Sequence, residues 1–185
     1  MNRFSCTRAR GFTLMEVMIA LVIISIGVLG IAAMQATAIA STHTSQTESL
    51  AAIEARSLAD AMQANPDYWA AGHLSGVLTV GGTAAAPVLS DTTLNSQTTN
   101  CSTTACLDTS NNGNVAMAGY DVQQWAKQLF TQIPGSTATI TCQIGSPTIC
   151  TIVVNWTQKA TAAVNNGTQS NTTPTSMSYT LVNQF

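Results

Sequence analysis

Charge is the first thing this chain lacks. Only 8% of its 185 residues are Asp, Glu, Lys or Arg, and 5% are aromatic. Six Lys and Arg against eight Asp and Glu leave a formal net charge of −2. That excludes a nucleic-acid partner, because phosphates are met by clustered Lys and Arg. Histidine is equally scarce. Neither His43 nor His73 stands in a G-x-S-x-G or H-E-x-x-H pattern, so no nucleophile elbow or helical zinc site can be placed. The sequence is therefore read as that of no enzyme, with no cofactor. Its polar surface must be built from Ser, Thr, Asn and Gln.

The few charges are unevenly spread. No Asp, Glu, Lys or Arg occurs from Val17 to Thr47, and Val17 to Met34 is almost wholly apolar. At about 1.5 Å rise per residue such a run crosses a hydrocarbon core of about 30 Å. Arg3, Arg8 and Arg10 precede it, which by the positive-inside rule keeps the N-terminus cytoplasmic and sends the remainder outward. An ordinary secretory signal is one reading, with small-residue cleavage sites near Ala32, Ala33 and Ala36. Two features oppose it. The apolar stretch exceeds the roughly 7–15 residues of a signal h-region. Glu16 also stands at its start, where a carboxylate costs up to about 3 kcal/mol if carried to the bilayer centre.

Proline is absent before Pro66, so nothing forces a break in a helix from about Thr13 to Ala64, on the order of 75 Å long. Ser25, Gly27 and Gly30 weaken its membrane half. Leu50, Ile53, Leu58, Ala61 and Met62 form a rough apolar stripe in its second half, with Glu54, Arg56 and Asp60 outside it. Asn65-Pro66 ends the helix. Gly72 to Gly119 reads as a long loop with one short strand, Val77 to Val80. "DVQQWAKQLF" reads as a helix over 121–133 capped by Asp121, with Val122, Trp125, Leu129 and Ile133 on one face. Thr137 to Trp156 reads as an antiparallel hairpin about Gly145-Ser146-Pro147. Its register sets Ile144 opposite Thr148, Cys142 opposite Cys150 and Ile140 opposite Ile152, with an apolar face running on to Val154 and Trp156. Ser178 to Phe185 supplies a further strand.

The segment "RGFTLMEVMIALVIISIGVLG", Arg10 to Gly30, resembles the class III signal of type IV pilins and type II secretion pseudopilins. The resemblance implies an α+β, pilin-like fold in which a long N-terminal helix packs against a small antiparallel head. It divides the chain into a leader (1–11), a transmembrane or filament-core half-helix (12–34), an amphipathic half-helix (35–65) and a head (66–185). It also implies that a prepilin peptidase cuts after Gly11 and methylates Phe12. Glu16, four residues on, then neutralises the N-terminal ammonium of a neighbouring subunit in a dry helical bundle. Asn65-Pro66, the Asp121–Trp125 run leading to Pro134-Gly135, and "TIVVNWTQ" further resemble the type IV pilus modification proteins, minor pilins of the type IVa system. That likeness implies a low-abundance subunit, inserted in the inner membrane, that then primes or joins pili and supports adhesion and twitching. Its partners would be the peptidase, other major and minor pilins, and the inner-membrane assembly platform. A minor pseudopilin of type II secretion is the alternative, and a secreted adhesin with an ordinary signal the third.

Cys6 would leave with the leader, so Cys101, Cys106, Cys142 and Cys150 remain, with three possible pairings. Proximity favours Cys101 with Cys106, and the hairpin register favours Cys142 with Cys150. A zinc site is disfavoured, since no histidine lies near either pair, and an oxidising compartment favours disulfides.

Overall fold

The computed structural model describes residues 11–74, 76–102, 106, 113–158 and 174–185. Cys6, Arg3, Arg8 and Arg10 lie outside the described residues. The chain forms two compact units, Met1–His43 and Thr44–Phe185, and one helix, α1 (Leu14–Ala64), begins in the first and ends in the second. In the first unit the large apolar side chains are exposed: Phe12 is 84% exposed, Leu29 71% and Met34 75%. Two of its hydroxyls, on Ser25 and Thr42, donate back to the helix backbone. Ser25 Oγ donates to Leu21 O at 2.7 Å, which satisfies a polar group where hydrocarbon would offer no partner.

The second unit is an α+β head. After α1 come α2 (Pro66–Trp69), β1 (Val77–Gly82), β2 (Pro87–Leu89), α3 (Thr92–Asn95), α4 (Gly113–Gln132), β3 (Thr137–Gln143), β4 (Ile149–Gln158) and β5 (Thr175–Gln184). The strands form one antiparallel sheet in the order β2-β1-β3-β4-β5. Alternation decides its faces. Leu78, Val80, Ala138, Ile140, Cys150, Ile152, Val154 and Trp156 share one core with Ala55, Leu58 and Met62 of α1 and with Val122, Trp125 and Leu129 of α4. The opposite face carries Thr139, Thr141, Thr151 and Asn155, each partly exposed.

The hairpin has the register its alternation predicts, with Ile140 opposite Ile152 and Cys142 opposite Cys150. One side chain departs from it. Ile144, expected on the apolar face, is 68% exposed because β3 ends at Gln143 and the turn carries it away. It lies against Gly72, where φ is +74°, so the backbone favours glycine there, and an added Cβ would also have to displace the tip of the Ile144 side chain, 2.6 Å away at Cδ1. β5 starts three residues before the expected strand.

Three expectations need correction. The α1 stripe is rotated: Ala51, Ala55, Leu58, Ala59 and Met62 are buried, Ile53 is 61% exposed, and Glu54 is fully buried. Alanines bring α1 close to its neighbours, a contact that a hydropathy reading weights too little. The stretch 72–119 is not one loop. Its described part holds β1, β2, α3 and the first turns of α4, of which β2 and α3 have three and four residues, too few to show a period. α4 spans twenty residues from Gly113, so Asp121 lies mid-helix and caps nothing. The early turns of α4 are rich in small residues, and Gly119 shows why. An added Cβ would sit 2.6 Å from Gln97 Cγ and 3.0 Å from Leu94 O, so the chain ahead of α4 approaches the helix only over a glycine.

Candidate functional site

The residues singled out at the N-terminus meet at the start of α1. Thr13 Oγ1 accepts from Glu16 N at 3.3 Å, and Thr13 O accepts from Glu16 N at 3.1 Å and from Val17 N at 3.3 Å. Thr13 is thus the N-cap and Glu16 the third helical residue, the spacing of a capping box. A carboxylate in a first turn also meets the positive end of the helix dipole. The signal for this local role is the pattern Thr13-x-x-Glu16, which the apolar run behind it overshadows.

Gly11 has a different character. It takes no left-handed backbone conformation, and a Cβ added there would meet nothing within 4 Å. The fold therefore gives no reason for glycine at this position. Phe12 is exposed beside it, one residue before the cap. Gly27 and Gly30 are likewise open to space, so any close approach they permit is to something other than this chain. From Phe12 to Met34 the helix offers apolar surface far beyond what an isolated soluble chain exposes, and it is long and apolar enough to cross a membrane.

In the head, Cys101 is bonded to Cys106 and Cys142 to Cys150, with Cα atoms 5.3 and 4.0 Å apart. No group of three or more His, Cys, Asp or Glu able to hold a metal occurs among the described residues. Tyr68 is buried, edge-on to Trp69 at 5.0 Å and stacked on His73 at 5.7 Å. Burial, with the Asp91 charge second, pushes its hydroxyl up to about 12. Burial also raises the Asp121 carboxyl.

Glu54 ties α1 to α4. Gln132 Nε2 donates to Glu54 Oε1 at 2.7 Å, and Trp125 Nε1 donates to the Glu54 carbonyl at 2.8 Å. Oε2 has no partner among the described residues. Desolvation raises the carboxyl above its ordinary value, partly offset by the nearby polar side chains of Gln128 and Ser57. Asn183 does the same service on the sheet side, donating to Ala59 O at 3.2 Å and accepting from Gln63 at 2.8 Å. These contacts hold the end of α1 to the rest of the head.

The prokaryotic N-terminal methylation motif matches residues 6–32. No curated protein and no solved structure matches the chain. That motif is the signal of type IV pilins and pseudopilins, and with the long apolar helix behind it the match supports a pilin-like, membrane-anchored chain that carries a prepilin peptidase signal.

Proposed function

We propose that this protein is a minor type IV pilin, close in kind to the type IV pilus modification protein PilV. Its apolar helix holds it in the inner membrane with the head outside, and it then primes or enters a pilus to support adhesion and twitching. The carrying observation is the conjunction at one helix start of an unconstrained Gly11, an exposed Phe12 and Glu16 ahead of an uncovered apolar helix. Cleavage after Gly11 leaves a new ammonium at Phe12, one residue from the helix cap, and methylation keeps it charged. Bundled with its neighbours, that ammonium loses water and needs a counter-charge, which Glu16 of an adjacent subunit supplies. Burying the pair gains little, but removing one partner leaves a charge stranded in a dry bundle. The downstream features that resemble the type IV pilus modification proteins, Asn65-Pro66 at the start of α2, Trp125 in α4 and the long β4, all bear on the head that such a subunit displays.

Glu16→Ala separates insertion from assembly. Losing a charge makes insertion no harder, while assembly loses its counter-ion. Cells carrying tagged wild type or variant are fractionated into membranes and sheared pili. Equal membrane pools are expected, with a several-fold loss of the variant from the sheared fraction. Equal amounts in both fractions would remove the assembly role. Wild type absent from sheared pili, yet needed for protein secretion, would favour the pseudopilin reading.

A further inference from the structure

A cavity of about 260 Å³ lies between residues 97–100 and the outward side of α4. Tyr120, Gln123, Gln124 and Lys127 line it at the helical spacing i, i+3, i+4, i+7. The facing wall is fixed in place. Gln123 Nε2 donates to Leu94 O at 2.8 Å and to Gln97 O at 3.0 Å, and Gly119 lets Gln97 lie against the helix. The Cys101–Cys106 bridge closes the chain directly after that wall.

The lining selects a ligand class. Thr98 and Thr99 hydroxyls and the Gln124 amide donate and accept hydrogen bonds, which suits a polyhydroxyl ring. Tyr120 adds a partly exposed aromatic ring, whereas Trp69, Trp125 and Trp156 are all buried in the core. Among the described residues no carboxylate lines the cavity and Lys127 forms no ion pair, so a ligand anion meets a cation that none of them opposes. An apolar ligand finds no apolar floor. A phosphate would look for an arginine fork or converging backbone N–H groups. The volume is below the roughly 300–1,000 Å³ of pockets for drug-sized molecules and fits a single sugar ring better.

We propose that this cleft binds a carboxylated sugar, a uronic-acid unit of a polysaccharide, with its carboxylate on Lys127 and its ring against Tyr120. The inference goes beyond the pilin reading and does not depend on it, because binding is read on the isolated protein whether or not it assembles. The full mature chain in non-ionic detergent is run by affinity electrophoresis through gels holding polygalacturonate or neutral dextran. Wild type should be retarded more by polygalacturonate, although the mature chain, without Arg3, Arg8 and Arg10, keeps three Lys and Arg against eight Asp and Glu, a formal net charge of −5 that disfavours a polyanion in general. Lys127→Gln should weaken that retardation roughly two- to fivefold, the scale of an exposed ion pair, and make the two gels alike. Tyr120→Ala should lose retardation in both, and Tyr120→Phe should keep it. Lys127→Gln removes the charge and keeps a polar side chain at a half-buried position outside the core, so it reads the site even if Tyr120→Ala misfolds. An unretarded wild type, equal retardation in the two gels, or an intact preference in Lys127→Gln overturns the proposal.

Discussion

At Glu54 the head encloses a carboxylate with one oxygen hydrogen-bonded and the other without a partner among the described residues. Its folded-state pKa lies above the ordinary 4.5, so the native state binds this proton more tightly than the unfolded chain does. The stabilisation is complete below pH 4.5 and is lost as pH rises through the folded value, above which the buried charge is a standing cost. Glu54→Gln keeps the oxygen that accepts from Gln132 and removes the charge. Its melting temperature should exceed that of wild type by more at pH 7.5 than at pH 4, by roughly 2–4 °C for each kcal/mol relieved. A difference that does not change with pH would mean the carboxylate is not held unfavourably. Gly11 poses the complementary case, a residue for which the fold has no need. Gly11→Leu should leave the head's circular dichroism and thermal transition unchanged while uncleaved precursor accumulates in the membrane. Normal processing of that variant would break the link between the glycine and the peptidase.

Elements differ in how openly the sequence declares them. The β3–β4 hairpin is legible because β3 alternates polar and apolar residues from Thr137 to Gln143 and β4 follows the same period apart from Ile149 and Val153, and a one-residue slip would throw Ile140, Ile152 and Val154 to the wrong face. Its cysteines stand opposite one another, and closing so short a loop contributes about 2–3 kcal/mol in the chain-entropy view. The Cys142→Ser, Cys150→Ser double variant should therefore lose about that much stability in urea unfolding and keep its fold, since Ile140, Ile152 and Val154 still hold the strands. An unchanged midpoint would show that the bridge constrains nothing the sheet does not already fix. α4 is only half legible. Val122, Trp125 and Leu129 give its second half a period, but Gly113 to Tyr120 owes its helicity to close packing by small residues, which carries no hydropathy signal. The rotated stripe of α1 is hidden for a similar reason, since Ala51 and Ala55 mark the buried side while Ile53 faces away.

For the whole molecule, the two units have opposite needs. The head buries its own core through one face of a five-stranded sheet, α4 and the end of α1. The first unit leaves Phe12 to Met34 uncovered and so requires lipid or other subunits. This requirement is plain in the sequence, as a charge gap from Val17 to Thr47 behind three arginines. The Lys127 cleft is not, because its lining joins residues 97–100 to positions 120–127 of α4, twenty or more residues later. The proposed pilin function turns on where the mature chain begins. Intact-mass analysis of the protein from membranes and from sheared pili measures that directly. The expected result is one species beginning at N-methylated Phe12, with both disulfides formed. A chain beginning just after the small residues near Ala33 or Ala36, or one in sheared pili that still carries its leader, would contradict it.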